Sequence, residues 1–445
     1  MIAPHVGDAA KGTDVDDERF DAIVVGAGPA GITAARTMAE AGLSVVVLER
    51  GQFPGAKNVW GGILYREPTE AMAPGFEDDA PLERPIIEQR YLMLTDDAMM
   101  GLTYRTERFA TPPYNAYSVL RSPFDQWYAT KAEEAGAEVY PEFTVVDLLW
   151  EDGVVTGVTT GDAEGELLAR CVVIADGANS LLAQRVGLHR EWEPIEQALV
   201  AKEIIALPAD QIESRFALPP GMGTALEIFG ESTAGLLGYG FIYTNKESLS
   251  IGTGALLVDL IDTGINVNDM LDRFKAHSAI APLIAGGETL EYSGHLIPEG
   301  GYNRLPRLFA DGVVVVGDAA QLVNPVNREG GNLAMISGKL AAQAIIEAKA
   351  RDDFSAMSLS RYRELLDESV VMQDLHKIRN LTDFAHERPH LLREYPKVLS
   401  GMAEEYLRVD GVAKKAKQEK ILSMIKGLPK RRLLDDLIGG ARSIS

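Results

Sequence analysis

The order of apolar and polar residues near the N-terminus predicts a strand, a helix and a second strand in close succession. A short apolar run covers 21–25, an alanine-rich stretch with helical spacing covers 31–41, and β-branched residues fill 44–48. Such short connections are typical of a βαβ unit with two parallel strands. Residues 1–20 are polar and acidic, and we expect them to form a disordered lead-in.

The remaining pattern predicts an α/β protein whose nucleotide-binding fold is interrupted by a β-rich insertion and followed by helices. Strand-like patterns occupy 76–114, 137–157, 168–175, 190–300 and 313–316, and helical patterns occupy 123–135, 332–350 and 358–435.

Composition narrows the class of protein. The chain has 445 residues and a net charge of -22, which disfavours nucleic acid as a partner. The charge is uneven, since residues 411–445 contain nine basic and three acidic side chains. Neither a signal-peptide core nor a run of about 18 apolar residues is found, so we expect a cytoplasmic protein.

The chain has one cysteine, Cys171, in a strand-like context. A disulfide framework is therefore excluded, and so is an iron–sulfur cluster held by this chain alone, since such clusters usually need about four thiolates. The seven histidines show no strong metal-ligand spacing, because Pro389 interrupts the pair His386 and His390. We predict surface histidines and no metal site.

A glycine-rich loop follows the first predicted strand and opens the first helix. It reads Gly26-Ala27-Gly28-Pro29-Ala30-Gly31. The first glycine permits a tight turn, the second lets the backbone approach a pyrophosphate, and the third allows close packing of helix and strand. The pyrophosphate would then lie at the N-terminus of the helix, where free N–H groups favour negative charge.

An acidic residue, Glu49, ends the second strand and is followed by Arg50. Its carboxylate is placed to accept hydrogen bonds from the adenosine ribose and would repel a 2′-phosphate. A second signal, almost 300 residues later, favours FAD over NAD. A valine strand leads into Gly317-Asp318, and Gly330-Gly331-Asn332-Leu333 follows. The aspartate is placed for the flavin ribityl chain, and the helix N-terminus for the edge of the flavin ring.

These motifs resemble those of flavoproteins related to p-hydroxybenzoate hydroxylase and geranylgeranyl reductase. The segments 54–58, 61–65, 238–254 and 324–338 narrow the resemblance to the FixC proteins and the electron transfer flavoprotein–quinone oxidoreductases. The resemblance covers residues 21 to about 350 and implies a Rossmann-like FAD-binding domain, a β-rich inserted substrate domain and a helical C-terminal region. The implied boundaries are 21–75, 115–189 and 300–350 for the FAD-binding domain, 76–114 and 190–299 for the substrate domain, and 351–445 for the helical region.

The resemblance also implies a set of residues that bind FAD. Near the isoalloxazine ring it places Lys57, Asn58, Gly61 and Gly62, for which a solvated loop is the alternative. Arg121 lies near the cofactor or forms a surface ion pair, Val145 meets adenine or only packs, and Asp176 belongs to a second pyrophosphate-side motif or to a strand-end turn. The full set is Gly26, Gly28, Pro29, Ala30, Gly31, Glu49, Arg50, Lys57, Asn58, Gly61, Gly62, Arg121, Val145, Asp176, Gly317, Asp318, Gly330, Gly331, Asn332 and Leu333.

The implied function is electron transfer from an electron transfer flavoprotein, with its alpha and beta subunits, to a quinone. The flavin carries the chemistry, so no side chain is predicted to be catalytic. The four-cysteine segment of the quinone oxidoreductases is missing here, which places the cluster on a separate small ferredoxin-like subunit. Two alternatives remain open: a geranylgeranyl-reductase-like enzyme that reduces prenyl double bonds, and an assembly subunit with a structural flavin.

Two surfaces are candidates for partners. Tyr239, Phe241 and Tyr243 alternate along one strand and so share a face, which lines a quinone pocket or belongs to the core. The segment 414–432 combines eight basic residues with an apolar stripe. It contacts an anionic bilayer, docks the ferredoxin-like subunit, or is a solvated tail. Under the first option the protein is peripheral on the inner face of the cell membrane.

Overall fold

A computed structural model describes residues 19–57, 62–161 and 165–444. Most of the expected lead-in, and the candidate residues Asn58 and Gly61, lie outside these ranges. Phe20 already belongs to the first strand. The strands are β1 (Phe20–Val25), β2 (Val45–Glu49), β3 (Gly62–Tyr65), β4 (Leu82–Leu94), β5 (Met99–Arg105), β6 (Ala116–Val119), β7 (Glu138–Pro141), β8 (Val145–Glu151), β9 (Val154–Thr160), β10 (Glu166–Ile174), β11 (Gln197–Ala206), β12 (Gly223–Gly230), β13 (Gly238–Thr244), β14 (Ser248–Leu256), β15 (Glu288–Pro298), β16 (Phe309–Ala310) and β17 (Val313–Val315).

The α-helices of the described ranges lie between these strands and after the last of them. They are α1 (Pro29–Glu40), α2 (Arg66–Met72), α3 (Arg121–Glu134), α4 (Leu181–Arg185), α5 (Ala209–Phe216), α6 (Leu257–Thr263), α7 (Val267–Ala276), α8 (Ala281–Ile284), α9 (Gly331–Arg351), α10 (Ala356–Glu368), α11 (Val370–Lys377), α12 (Leu381–His386), α13 (His390–Arg393), α14 (Tyr395–Leu407), α15 (Lys414–Gly427) and α16 (Lys430–Ser443).

The first sheet has the strand order β16-β17-β10-β1-β2-β7, with β8 and β9 attached through β10. The strands β17, β10, β1, β2 and β7 run parallel. Most side chains of β17, β10, β1 and β2 are buried apolar groups, as expected for parallel strands covered on both faces, whereas the edge strand β7 is partly exposed. Helix α1 packs against both α9 and α3. The predicted βαβ unit is therefore confirmed, with β1 in the middle of the sheet.

The second sheet has the order β15-β11-β14-β13-β12-β4-β6-β3, and β5 extends it from β4. Two strands from the ranges predicted for the FAD-binding domain, β3 and β6, belong to this sheet because β3 pairs with β6 and β6 pairs with β4. One face of the sheet carries a core with α5 and α7, which includes Leu226, Ile228 and Ile242. The opposite face carries a smaller cluster that contains Phe241 and Tyr243.

We predicted mostly strands for residues 190–300, but the structure also has the four helices α5–α8 in that range. Helix α7 has a strongly amphipathic pattern and begins at the side-chain cap of Asn266, whose oxygen accepts the Asn268 N–H at 2.8 Å. Its buried residues Met270, Leu271 and Phe274 cover the sheet. These helices lie between long strands, and their short length hides the helical period.

The C-terminal region is helical, as predicted. Helix α12 ends at His386 and α13 begins at His390, so the two histidines do not share a helix. Each pairs with a carboxylate: His386 Nδ1 lies 3.1 Å from Asp259 and His390 Nε2 lies 2.8 Å from Asp436. The prediction of surface histidines therefore holds only in part for this pair, because both side chains are partly buried at 27% and 15% exposure.

Candidate cofactor and substrate site

A single elongated cavity of about 550 Å³ is lined by residues of both sheets. It extends from the loop after β1, past the ends of β2 and β10, to the second sheet at β13 and β15. Its size is in the range of cofactor and ligand sites. In the first sheet it lies at the carboxyl ends of parallel strands, where open α/β sheets bind ligands.

The backbone geometry of Gly26 and Gly31 matches the first and third roles that the sequence assigned to the glycine loop. Gly26 has φ +106°, which favours glycine. A Cβ on Gly31 would lie 2.1 Å from the Gly26 carbonyl oxygen, so only glycine allows this approach of α1 to the loop. Gly28 lines the cavity, and a Cβ there would meet no atom within 4 Å. The space beside Gly28 is therefore open to a ligand at the N-terminus of α1.

Glu49 is held at the edge of the cavity by backbone donors. Its Oε2 accepts the Ala27 N–H at 2.9 Å and its Oε1 accepts the Gly51 N–H at 2.6 Å. The carboxylate is thereby fixed beside the glycine loop, and each oxygen keeps lone-pair capacity for a ribose hydroxyl.

The far end of the cavity is built by the segment after β17 and by the start of α9. Gly317 has φ +64°, and its N–H donates to Ser337 Oγ at 2.9 Å. A Cβ on Gly338 would lie 2.1 Å from the Ala30 carbonyl oxygen. Close packing of α9 against α1 therefore brings Asp318 and the N-terminus of α9 to the same cavity as the glycine loop.

Charged groups of β15 and α3 lie near Asp318. Burial raises the pKa of Asp318, and His295 of β15 and Arg121 of α3 oppose that rise. Burial also lowers the pKa of His295, which Asp318 opposes. Arg121 donates two hydrogen bonds of 2.8 Å to Asp125. Arg121 is thus both a cavity-lining residue and one half of an ion pair.

Asp176 lines the cavity after β10. Its Oδ2 accepts the Leu182 N–H at 3.0 Å, while its buried Oδ1 has no hydrogen-bond partner among the described residues. Burial raises the pKa of this carboxyl to about 6. An acceptor without a partner at a cavity wall fits a ligand that brings a donor, such as a hydroxyl group.

Most of the predicted cofactor residues that the structure describes line this cavity. They are Gly26, Gly28, Pro29, Ala30, Glu49, Arg50, Lys57, Gly62, Arg121, Val145, Asp176, Asp318, Gly330, Gly331 and Asn332. Gly31, Gly317 and Leu333 do not line it. The two glycines shape the backbone around it, and the Leu333 side chain is buried in the core.

The three aromatic residues of β13 share one sheet face but differ in position. Tyr239 and Tyr243 line the cavity, whereas Phe241 is 1% exposed and packs between them, with ring centroids 6.5 Å and 5.0 Å away. The expectation that all three line a pocket is wrong for Phe241. The two tyrosines form the wall, and the phenylalanine supports it.

Several cavity residues were not predicted. Tyr65, His295, Ile297 and Arg328 line the end of the cavity near the second sheet. The Tyr65 hydroxyl donates to the Asn327 carbonyl at 2.7 Å, which ties β3 to the segment before α9. Tyr65 and Arg328 belonged to segments already noted for their motifs, 61–65 and 324–338, although no role in the cavity was predicted for either. Nothing in the local pattern around His295 marked it.

The basic C-terminal segment is partly used inside the protein. Lys417 is 3% exposed and lies 2.9 Å from Asp410, and Lys420 lies 2.5 Å from Glu405. Lys414, Lys415, Lys426, Lys430 and Arg431 are exposed, together with Leu422, Ile425, Leu434 and Leu437. A basic and apolar surface therefore remains, built from part of the predicted segment 414–432 and from Leu434 and Leu437 beyond it.

The described ranges contain no cluster of three or more His, Cys, Asp or Glu side chains able to hold a metal ion. Within those same ranges, every helix is too short or too polar to cross a bilayer. Cys171 is buried in β10, and burial raises the pKa of its thiol.

The cavity fits FAD on structural grounds. It has an open space beside Gly28 at a helix N-terminus, a fixed carboxylate at Glu49, and an acceptor at Asp176 without a partner. A second carboxylate, Asp318, stands beside the helix N-terminus of α9 at the other end.

Two families match parts of the chain. Residues 21–192 match the family described as "FAD dependent oxidoreductase", and residues 381–445 match the one described as "ETF-QO/FixC family C-terminal domain". Protein FixC of Azotobacter vinelandii is 48% identical over 95% of this chain and 98% of its own length. The probable electron transfer flavoprotein-quinone oxidoreductase YdiS of Escherichia coli (strain K12) is 40% identical over 97% of this chain and 100% of its own length.

A solved structure has the same fold. The geranylgeranyl bacteriochlorophyll reductase-like protein of Thermoplasma acidophilum superposes with a TM-score of 0.71 at 21% identity, covering 92% of this chain and 98% of the other. The fold is thus that of the geranylgeranyl reductase type, as the sequence implied. The chain belongs to the ETF-QO/FixC family of FAD-dependent oxidoreductases.

Proposed function

We propose that this oxidoreductase passes electrons from an electron transfer flavoprotein to a quinone, together with a separate ferredoxin-like iron–sulfur subunit. The observation that carries the proposal is the continuity of one cavity from the glycine loop to Tyr239 and Tyr243. A dinucleotide at one end and a flat apolar molecule at the other would meet inside it. The relative named as a probable electron transfer flavoprotein-quinone oxidoreductase supports this reading.

Different residues along the cavity would hold different parts of FAD. Bound FAD supplies the ability to accept electrons one at a time and to donate two. Gly28 and the N-terminus of α1 would hold the pyrophosphate, Glu49 the adenosine ribose, and Asp318 the ribityl chain. In its reduced form FAD would supply the two electrons and two protons that convert a quinone to a quinol.

The cysteine content of the chain supports a ferredoxin-like partner. Cys171 is the one cysteine of the chain, and it is buried in the first sheet. A cluster in this relay therefore needs ligands from another chain. The donor flavoprotein and the ferredoxin-like subunit complete the proposed electron path.

The exposed basic and apolar surface of α15 and α16 supports a peripheral position on the inner face of the cell membrane. Replacing Lys414, Lys415, Lys426 and Lys430 by Gln is expected to weaken binding to anionic liposomes, measured by co-sedimentation, by up to about 1,000-fold, since each lysine near an anionic surface contributes about 1 kcal/mol and about 1.4 kcal/mol is a factor of ten. Lys417 and Lys420 stay unchanged because they form ion pairs with Asp410 and Glu405 of the same chain.

Neutral liposomes and the ferredoxin-like subunit serve as the two comparison partners in this assay. Loss of binding to the subunit alone would assign the surface to that protein. Unchanged binding to both would show a solvated tail.

The division into domains is also our proposal. The first sheet and α1, α3 and α9 would form the FAD-binding domain from 21–75, 115–189 and 300–350. The second sheet would form the substrate domain, with β3 and β6 contributed from the first set of ranges. Residues 351–445 would form the helical region.

Reconstitution tests the electron path. The purified chain is mixed with a ferredoxin-like partner, a reduced electron transfer flavoprotein and a soluble quinone analogue, and the flavin absorbance is followed without oxygen. We expect reoxidation that depends on the quinone. Reduction of a prenyl double bond without the partner would favour the geranylgeranyl-reductase-like alternative, and a flavin that neither donor nor acceptor changes would favour a structural role.

A further inference from the structure

One face of the second sheet leads from the protein surface into the cavity. On β12, Glu227 lies opposite Phe241 of β13 and opposite Tyr91 of β4, which in turn lies opposite Leu102 of β5. Residues directly opposite in a ladder share a face. The same face therefore carries the cavity tyrosines at one end and the edge strand β5 at the other.

The outer end of this face is apolar and exposed. Tyr91 is 42% exposed, Leu102 65% and Tyr104 49%. Exposed aromatic and aliphatic groups that continue a cavity wall are typical of a route for an apolar ligand. A flat apolar molecule moving along the face would pass from β5 over β4 and β12 to the tyrosines of β13.

A buried arginine stands over the middle of this route. Arg328 forms an ion pair through Nε with Glu227, and its Nη2 donates to Gln89 Oε1 at 3.1 Å. The two charged side chains are 9% and 6% exposed. Arg328 lines the cavity, and its buried Nη1 has no hydrogen-bond partner among the described residues.

The backbone turn that carries Arg328 and its ion pair with Glu227 together hold the guanidinium group in place. Arg328 has φ +58° and lies within the turn closed by the bridge between Asn324 and Glu329, two residues before Gly330. Burial raises the pKa of Glu227, and Arg328 opposes the rise. A buried ion pair is a poor source of stability compared with apolar packing. The position of this ion pair at a cavity wall therefore favours a role in ligand binding.

We propose that Arg328 donates a hydrogen bond to a carbonyl oxygen of the quinone, with Glu227 as the residue that positions the guanidinium group. This inference rests on the proposed function. A quinone has a flat ring, which suits Tyr239 and Tyr243, and carbonyl oxygens that only accept hydrogen bonds. Negative charge gathers on those oxygens during reduction, so a fixed cation favours the reduced state more than the bound quinone.

The test uses the FAD-loaded protein with both charges removed. In the double variant Arg328→Gln with Glu227→Gln, no unpaired charge is left buried. The matched control is Arg90→Gln with Glu88→Gln, an ion pair of β4 whose members alternate in sequence with Gln89 and Tyr91 and do not line the cavity. FAD content, reoxidation by a soluble quinone analogue and reoxidation by ferricyanide are measured for each protein.

We expect the double variant to lower kcat/KM for the quinone analogue at least tenfold, with a fall in kcat as well as any rise in KM, while FAD content and the rate with ferricyanide stay unchanged. Arg328→Lys is expected to recover part of the loss. The inference is overturned if the quinone kinetics match the wild type, or if FAD content and the ferricyanide rate fall in parallel, which would show a structural role. A wild-type protein that no quinone reoxidises would instead overturn the proposed function.

Discussion

The substitution Gly28→Val is expected to weaken FAD binding while leaving the stability of the fold nearly unchanged. Gly28 has φ −78° and ψ 176°, a conformation open to any residue, and a Cβ there would meet no atom within 4 Å. Valine is a poorer N-cap than glycine, but it restricts the unfolded chain, and these effects oppose each other at about 1 kcal/mol each. We therefore expect the free energy of unfolding of the FAD-free variant to stay within about 1 kcal/mol of the wild type.

The same substitution fills the space that a pyrophosphate needs. Two backbone hydrogen bonds to a charged group contribute about 3 kcal/mol or more, and 1.4 kcal/mol corresponds to a tenfold change in Kd. The affinity for FAD is expected to fall at least about 100-fold, so the purified variant would lose its yellow colour. Urea unfolding of the FAD-free protein and titration with FAD measure the two effects separately.

Two further glycines provide controls. A Cβ on Gly31 would lie 2.1 Å from a backbone oxygen, so Gly31→Ala is expected to destabilise the fold as well as to remove FAD. Gly427 ends α15 with open space around it and does not line the cavity, so Gly427→Val should change neither. Stoichiometric FAD bound to the Gly28→Val variant with wild-type affinity would refute the loop assignment.

Two other substitutions test single carboxylates. Glu49→Gln leaves an amide that accepts from one of the two backbone donors and opposes the other, so we expect FAD titration to show an affinity about tenfold lower or more; an unchanged Kd would remove Glu49 from the site. The pKa of Asp176 is raised to about 6, so the folded FAD-free protein binds this proton more tightly than the unfolded chain, and stability falls as pH rises from 4 to 6. Asp176→Asn removes this loss, so its stability relative to the wild type should increase by at most about 3 kcal/mol between pH 4 and pH 7 in urea unfolding, and a difference independent of pH would contradict the raised pKa.

The sequence was most informative where a local backbone constraint decides the structure. The positive φ of Gly26 and the contact of Gly31 with the loop leave few alternatives to glycine, so the motif predicted β1, α1 and the ligand position together. The buried valines of β17 and the glycines that follow it were recognised for the same reason.

The residues that were missed depend on contacts between distant segments. Arg328 meets Glu227 and Gln89 because the turn before α9 packs over the second sheet, and no short pattern indicates that meeting. Lys417 looked like one of several surface lysines, but Asp410 and Glu405 bury it. Phe241 shares its face with two cavity tyrosines, yet packing between their rings removes it from the wall.

If electrons leave this chain by way of a quinone, a quinone must reoxidise its reduced flavin. The most direct test is anaerobic stopped-flow absorbance of the FAD-loaded chain, reduced in advance and mixed with a soluble quinone analogue. We expect the oxidised flavin spectrum to return at a rate that rises and then saturates with quinone concentration, as binding in a cavity requires. A reduced flavin that persists at every quinone concentration would contradict it.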